Sequence, residues 1–258
     1  IPVPFDPRLI SAISPAVAQA AMDTGVAELP IEDMAEYKTR LSGRLDPTAD
    51  ALHLISREVR ANPRRVVFAE GEEEKAIRAA AAFKATGYGT PILVGYEDRI
   101  LETMKRLGIA NAQDFEISNA GKLNRSKEFT DFMFERLARR GMLYRDCQRL
   151  VNQDRNIFAA CMVAHGDADA MVTGLTRSSF VCLNDVRRVL DPRPGERVFG
   201  LTMLITPGRT VFIADTSVHE VPNQVELADI AMQAAAKARQ LGHTPRVALL
   251  SFSTFGEP

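Results

Sequence analysis

The chain has 258 residues, 46% of them hydrophobic, and its 32 Lys and Arg nearly balance 33 Asp and Glu. This composition is typical of a globular protein with one large domain or two smaller ones, and it gives no reason to expect a nucleic-acid partner. No apolar run approaches the about 20 residues of a membrane helix, and no charged-then-apolar leader is present. Three cysteines without metal-ligand spacing suit a reducing compartment. We therefore expect a cytoplasmic protein that binds no membrane and no nucleic acid.

The first 50 residues are punctuated by proline and differ from the rest. Their pattern predicts helices at 9–22 and 31–41, and Pro15 kinks the first helix unless it lies in the first turn. We interpret this segment as the tail of one module running into a linker. Because the chain starts at Ile1 and stops at Pro258, just after a predicted strand, we expect it to be a fragment of a longer polypeptide.

From position 65 onward, predicted strands alternate with predicted helices of ten residues or more, which indicates βαβ units and a mostly parallel sheet. Strands are predicted at 65–69, 90–94, 169–172 (the central one) and 247–251. Helices are predicted at 51–61, 97–107, 126–140, 142–152, 156–165, 178–190 and 224–241, with an alanine-rich helix through Thr86. The runs 197–206 and 210–214, joined by Pro207-Gly208, favour an antiparallel hairpin.

Several charged or ligand-type residues have a simple structural interpretation. Acidic residues complement the dipole of a helix start, so the four glutamates within 70–74 are interpreted in that way rather than as catalytic or metal-binding groups. Five arginines (Arg136, Arg139, Arg140, Arg145 and Arg149) are interpreted as a solvated helical face, with an anion site as the less favoured alternative. The four histidines are far apart, and we predict no metal site.

The candidate site is the run that follows the strand at 169–172. It reads Thr173-Gly174-Leu175-Thr176-Arg177-Ser178-Ser179 and leads into a predicted helix. In α/β proteins ligands bind at the carboxyl ends of strands, where helix N-termini open. Two further runs end in similar residues, namely Asp215 and Thr216, and Ser251, Ser253, Thr254 and Gly256. Such loops can hold a phosphate or an acyl carbonyl, but Ser and Thr also serve as ordinary helix N-caps, and the residues alone leave both possibilities open.

Several stretches resemble the phosphate acetyltransferase family, in the family's order, over about residues 52–258. They are VVFAEGEEEK (66–75), PILVG (91–95), DADAMVTGLTRSS (167–179), IADTS (213–217) with PNQVELADIA (222–231), and LSFSTFG (250–256). The resemblance implies an α/β, three-layer, mostly parallel-sheet fold with two subdomains, similar to isocitrate dehydrogenase-like enzymes and incomplete at its C-terminus. It also implies a cleft for acetyl-CoA and phosphate between the subdomains.

The start of the chain resembles the end of the catalytic part of bacterial NADP-dependent malic enzymes. The residues are IPVPFDPRL (1–9), PAVA (15–18) and GVA (25–27), and RDCQRLVNQDRN (145–156) is similar to the hybrid branch that adds an acetyltransferase-like domain. This implies a malic-enzyme tail with linker at 1–42 and acetyltransferase-like subdomains at 43–172 and 173–258.

The same resemblance implies what the longer polypeptide does. The parent would oxidatively decarboxylate malate to pyruvate and CO2 with NADP and a divalent metal (Mg or Mn), using residues upstream of Ile1. Acetyl-CoA would act as an allosteric inhibitor on the present segment. The partners would be the malic-enzyme catalytic domain of the same chain and further copies in a homo-oligomer.

Two departures from the acetyltransferase pattern bear on catalysis. Leu183-Asn184-Asp185 stands where active acetyltransferases have Leu-Arg-Pro, and Phe134-Glu135-Arg136-Leu137 replaces a Tyr-Glu-Leu-Arg-Lys motif. Loss of guanidinium groups removes stabilisation of a transferring group. The segment is therefore predicted to bind acetyl-CoA or phosphate without catalytic residues, metal or cofactor of its own; the alternative is an active phosphate acetyltransferase that makes acetyl phosphate. The predicted ligand-binding residues are Thr173, Gly174, Thr176, Arg177, Ser178, Ser179, Asp215, Thr216, Ser251, Ser253, Thr254 and Gly256.

Overall fold

A computed structural model describes residues 8–43, 55–109, 112–119, 125–206 and 209–250. The helices are α1 (Arg8–Asp23), α2 (Met34–Gly43), α3 (Glu74–Ala85), α4 (Glu97–Arg106), α5 (Ser126–Leu137), α6 (Tyr144–Gln153), α7 (Arg155–Ala164), α8 (Ser179–Val189) and α9 (Gln224–Gln240). The strands are β1 (Arg64–Phe68), β2 (Gly89–Val94), β3 (Glu116–Ser118), β4 (Ala170–Val172), β5 (Leu201–Thr206) and β6 (Arg209–Ala214). Residues 55–61 are also helical, and short 3-10 turns lie at Ala112–Asp114 and Ala138–Arg140.

Strands β1 to β4 form a parallel sheet in the order β3-β2-β1-β4. In its register Val67 of β1 lies opposite Ile92 of β2 on one side and Met171 of β4 on the other. Among the described strands, β4 lies at one end of the sheet and pairs with β1 alone. The prediction that 169–172 forms the central strand is wrong for this part of the chain, because apolar character reports burial and not the position of a strand in the sheet.

Helices cover both faces of this sheet, which makes three layers. Successive side chains of a strand point to opposite faces. Val67 and Ile92 accordingly pack in a cluster with side chains of α5, α6 and α7, while Phe68 and Leu93 pack with those of α3 and α4. The predicted α/β fold with a mostly parallel sheet is confirmed.

The carboxyl ends of these parallel strands lie at one edge of the sheet, and that edge positions the candidate site. Glu70 and Glu72 follow β1, Gly95 follows β2, Asn119 follows β3, and Thr173 follows β4. Polar side chains that are far apart in the chain therefore meet at this edge.

The described residues from 58 to 196 form one compact unit, and those on either side of this range form another. In the second unit, β5 and β6 pair antiparallel as predicted, and α9 packs against β6. The predicted turn at 207–208 lies outside the described residues. A capping box starts α9, in which Asn223 accepts from the backbone N–H of Glu226 and the Glu226 side chain accepts from that of Asn223. Within the same unit, α1 packs against α2.

The predicted division between residues 172 and 173 stays a prediction about subdomains. In the described contacts, α8 packs against α7 and belongs with the 58–196 unit. Among the described helices, none combines the length and the apolar character that crossing a bilayer requires.

The strand predicted at 247–251 is wrong for residues 247–250, and Ser251 lies outside the described residues. Val247, Leu249 and Leu250 are 58%, 63% and 85% exposed. A strand requires a neighbouring strand that accepts and donates its backbone hydrogen bonds, and the described part of the chain places none beside this run. An apolar run reveals strand propensity, but it does not provide the partner.

Replacing Phe129 tests the larger core cluster. Phe129 is fully buried and meets Phe158 edge-to-face at 5.6 Å between ring centroids. Phe129→Ala is expected to lower the free energy of unfolding by about 3–5 kcal/mol, because the cavity it leaves adds to the lost apolar burial. Urea-induced unfolding followed by circular dichroism measures the loss.

Phe180→Ala is the matched control, because Phe180 is 73% exposed. This control is expected to change stability by no more than about 0.5 kcal/mol. Similar losses in the two variants would contradict the assignment of Phe129 to the core.

Candidate functional site

The turn from Thr173 to Ser178, hereafter the β4 turn, has its backbone donors filled by a carboxylate of the same chain. Glu70 Oε2 accepts from the N–H groups of Gly174 at 2.8 Å and Leu175 at 2.6 Å. Its Oε1 accepts from the N–H of Thr176 at 2.7 Å and from the Thr176 hydroxyl. Converging N–H groups form an anion site, as the sequence predicts, but the anion they bind in this structure is a buried side chain.

Glu70 is only 3% exposed, and its environment favours the charged form. Burial opposes ionisation, but the bonds donated by Thr176, Leu175 and Gly174 outweigh it and lower the pKa of the Glu70 carboxyl below its ordinary value. The interpretation of residues 70–74 as a helix start is wrong for Glu70, because α3 begins only at Glu74 and Glu70 lies in the turn before it.

Arg177, the one guanidinium of the β4 turn, is bound by two carboxylates. Its Nη1 lies 2.6 Å from Asp154 Oδ2 and 3.1 Å from Asp185 Oδ2. Asp185 is 6% exposed, so its charge requires such a partner. These contacts raise the pKa of Arg177, first through the hydrogen bond to Asp154. The guanidinium thus links the β4 turn to α7 and α8 and is already neutralised.

The hydroxyls of the turn also have structural partners. Thr173 donates to Asn156 Oδ1 at 2.6 Å, and Asn156 in turn donates to Asp185 Oδ2 at 3.2 Å. The Ser178 hydroxyl accepts from the N–H of Val181 at 3.4 Å and caps α8, as the N-cap alternative predicts. Ser179 starts α8 and is exposed.

The second predicted loop lies in the other unit and centres on Asp215. This carboxylate, 2% exposed, accepts from the backbone N–H groups of Gly200, Ser217, Val218 and His219, and His219 Nδ1 lies 2.6 Å from its Oδ2. Burial opposes ionisation, but these bonds outweigh it and lower the pKa of Asp215 to about 2.

The side chain of Thr216, the next residue in this loop, is also closely packed. The Thr216 hydroxyl lies 3.3 Å from that of Thr202, and a Cβ at Gly200 would lie 2.6 Å from Thr216 Oγ1. A larger residue at position 200 would therefore displace the side chains of this loop. Asp215 and Thr216 hold their loop together in the same way that Glu70 holds the β4 turn.

The remaining predicted ligand residues, Ser251, Ser253, Thr254 and Gly256, lie outside the described residues. Within the part of the chain that the structure describes, no three His, Cys, Asp or Glu side chains come together as a metal site. Of the five arginines on α5, α6 and the turn between them, Arg136 pairs with Asp191 at 2.9 Å, and the other four are exposed.

Sequence reasoning missed Glu70, Asp154, Asn156 and Asp185. One signal was available for Glu70, because it directly follows a predicted strand just as Thr173 does. Two residues that follow neighbouring parallel strands are expected to meet. Asp154 caps α7, and Asn156 and Asp185 lie on α7 and α8, which only packing brings to the β4 turn.

Comparison with known proteins places the chain in a family. The family model for phosphate acetyl/butaryl transferase matches residues 51–258. An NADP-dependent malic enzyme of Rhizobium meliloti is 54% identical over the whole chain, and one of Escherichia coli is 39% identical over 99% of it. The chain spans about a third of the length of these curated relatives, 34% in both cases.

Two solved structures share the fold. The EutD phosphotransacetylase of Staphylococcus aureus is 29% identical with a TM-score of 0.69, over 81% of this chain and 63% of its own. A phosphotransacetylase of Streptococcus pyogenes is 27% identical with a TM-score of 0.72, over 81% of this chain and 64% of its own.

Replacing Glu70 tests whether its carboxylate stabilises the β4 turn. Glu70→Gln is expected to lower the free energy of unfolding by about 1–3 kcal/mol at neutral pH, because a carboxamide has one accepting oxygen and turns its NH2 group toward backbone donors. Since folding lowers the pKa of Glu70, the stabilisation exists above the ordinary value of 4.5 and is lost as pH falls through the folded-state value. The difference between wild type and variant should shrink below about pH 4.5.

Urea unfolding between pH 3 and 8 measures this difference. Glu102→Gln makes the same change at an exposed position of α4 and serves as the control. An equal loss in both variants, or a Glu70→Gln deficit that does not depend on pH, would show that the carboxylate does not hold the turn.

Proposed function

We propose, from the premise that this chain belongs to the phosphate acetyl/butaryl transferase family, that it is the acetyl-CoA-binding regulatory region of an NADP-dependent malic enzyme. The proposal rests on how much of the chain the similar proteins cover. Malic-enzyme relatives match essentially the whole chain, including residues 1–50, whereas the phosphotransacetylase structures match 81% of it at lower identity. In this proposal, a separate part of the polypeptide converts malate to pyruvate and CO2 with NADP and a divalent metal.

The charges of the β4 turn support binding without acyl transfer. A transition state is stabilised by donors that face the position where charge develops. Here the three N–H donors face Glu70, and Arg177 faces Asp154 and Asp185. Asn184 stands where the family resemblance predicts an arginine. These groups keep the loop in place, and they offer little that is free to stabilise a transferring acetyl group.

Regulation requires more than binding. Acetyl-CoA inhibits the parent enzyme only if it binds two states of the protein with different affinity. In this proposal, acetyltransferase-like regions join several copies into a homo-oligomer in the cytoplasm. The two states would be two arrangements of this oligomer that differ in their affinity for acetyl-CoA. Acetyl-CoA occupancy would then reach the malate site through the linker at residues 30–50 or through contacts between copies.

Malate turnover measured against acetyl-CoA tests this proposal. In the complete polypeptide, NADPH formation from malate is expected to fall as acetyl-CoA is added, while free CoA at equal concentration has a smaller effect. Because Glu70 holds the β4 turn, Glu70→Gln should raise the acetyl-CoA concentration needed for half inhibition by about tenfold, which corresponds to 1.4 kcal/mol. Glu102→Gln should leave it unchanged.

Turnover that stays constant at saturating acetyl-CoA would overturn the regulatory proposal. Equal inhibition by acetyl-CoA and CoA would show that the acetyl group is not recognised.

The alternative function is an active phosphate acetyltransferase, and the likeness to two phosphotransacetylase structures favours it. Phosphate-dependent release of free thiol from acetyl-CoA, followed with a thiol reagent, measures this reaction directly. We expect release no faster than in buffer, because the guanidinium of the β4 turn is neutralised by two carboxylates. The Staphylococcus aureus phosphotransacetylase is the positive control. Phosphate-dependent turnover above background would establish the alternative.

A further inference from the structure

Four arginines gather at one corner of the 58–196 unit, where α5 ends and α6 begins. Residues 134–145, hereafter the basic corner, contain these four arginines and a single acid. Arg136 is neutralised by Asp191, which lies beyond α8 at a distance of 2.9 Å. Arg139 and Arg145 are exposed and form no ion pair among the described residues. The basic corner therefore carries positive charge that the described structure does not compensate.

Apolar side chains lie beside these arginines. Phe134 of α5 and Tyr144 of α6 meet edge-to-face at 5.5 Å between ring centroids, and both rings are partly exposed. The Tyr144 hydroxyl donates to Asp131 at 2.7 Å, which orients its ring. Leu143, the residue before α6, is 50% exposed. Protein interfaces are enriched in arginine and aromatic residues and place an apolar centre inside a polar rim, and the basic corner has this composition.

The opposite charge occurs in the segment that joins α1 to α2. Residues 24–36, hereafter the acidic segment, contain four acids and no lysine or arginine. Leu29 is 88% exposed, more than any other large apolar side chain in the described part of the chain. Glu28 and Glu32 lie on either side of it, and both are exposed without an ion pair among the described residues. The segment thus presents an apolar side chain between two uncompensated carboxylates.

Both ends of the acidic segment are fixed by hydrogen bonds. At its start, the N–H of Val26 donates to the carbonyl oxygen of Ala21 at 3.1 Å. At its end, Asp33 Oδ1 accepts from the N–H groups of Ala35 at 2.8 Å and Glu36 at 3.0 Å and so caps α2. Association costs less when the docking segment is already ordered. The segment is therefore prepared for docking with little further loss of chain entropy.

The two surfaces complement each other in charge and in apolar character. The whole chain has 32 Lys and Arg against 33 Asp and Glu, so its charge is nearly balanced but is separated between these surfaces. Each copy of the chain carries both surfaces, and a second copy therefore supplies the partner that each surface lacks. Complementary charge steers two such surfaces together and disfavours like-charged alternatives.

We propose that the acidic segment of one copy docks on the basic corner of a second copy, with Leu29 against the apolar side chains of the corner and the flanking glutamates facing its arginines. Because both copies carry both surfaces, a two-fold dimer forms the contact twice. The proposal rests on the homo-oligomer of the proposed function, but not on acetyl-CoA binding or on regulation.

Disulfide trapping between two differently tagged copies tests the contact. Leu29→Cys and Leu143→Cys are co-expressed as complete polypeptides with different tags, so that a disulfide joining the two tags forms only between copies. Mild oxidation is expected to join them, because the contact brings the two positions within disulfide distance. The three cysteines of the present chain are buried. Val172→Cys in place of Leu143→Cys is the control, since Val172 is 51% exposed in the same unit, and it should give only the wild-type background.

Charge reversal tests the electrostatic part of the contact. Arg139→Glu, added to the Leu143→Cys copy, should slow cross-linking about fivefold at low ionic strength and less in concentrated salt, because salt screens exposed charges. Glu32→Arg, added to the Leu29→Cys copy, should restore the rate, which a structural defect in the first variant would not allow. Lys127→Glu, at an exposed position near the other end of α5, should leave the rate unchanged.

The absence of a disulfide between tags, or equal yields with Leu143→Cys and Val172→Cys, would overturn the proposal. Slowing by Arg139→Glu that Glu32→Arg does not relieve would overturn the pairing of these two surfaces. Circular dichroism checks that each variant is folded, as expected for exposed positions. Cross-linking in a polypeptide whose malate turnover ignores acetyl-CoA would leave this contact standing while the regulatory proposal fails. Inhibition by acetyl-CoA without cross-linking would leave only the proposed function.

Discussion

The hydrogen bonds between the Glu70 carboxylate and the β4 turn are the constraint on which the candidate site depends. They join residues 104 to 106 positions apart in the chain, at the ends of neighbouring strands β1 and β4. A buried carboxylate is stable only when its oxygens are satisfied, and converging backbone N–H groups are stable only when they meet an acceptor. The carboxylate and the N–H groups satisfy each other here, so these bonds stabilise the observed conformation of the turn.

Compensation of buried charge explains the rest of the site. Arg177 lies between Asp154 and Asp185, and Asp215 accepts four backbone N–H groups and contacts His219. In each case the protein itself supplies the counter-group that a ligand would supply in an open site. This supports our proposal of a domain that binds a ligand without stabilising a developing charge on it. Arg155 is the contrasting case, because its Nη1 is buried beside a cleft and finds no hydrogen-bond partner among the described residues.

Much of the local structure could be predicted from the chain, and its failures have a common cause. Strands β1, β2 and β4, the hairpin at 201–214 and the helix after Asn223 follow from apolar periodicity, Pro-Gly turn chemistry and capping residues, which act over a few positions, whereas the three-residue strand β3 was not predicted. Glu70 was assigned to a helix start because neighbouring glutamates fit a helix dipole. The run at 247–251 is predicted as a strand because it is apolar. Both errors arise because the conformation of a segment depends on partners that its local sequence does not reveal.

The sequence by itself therefore determined the class of fold, the family resemblance and the segments that carry polar residues to strand ends. Those properties depend on local propensity and on the order of sequence motifs, and both are present in the amino-acid sequence itself. Only the tertiary structure decided which of these residues are free. Strand order brought Glu70 onto the β4 turn, helix packing brought Asp154 and Asp185 onto Arg177, and the same packing left Nη1 of Arg155 without a hydrogen-bond partner among the described residues. The physical reason is that charge compensation acts through space, over distances of a few ångströms, and is independent of separation along the chain.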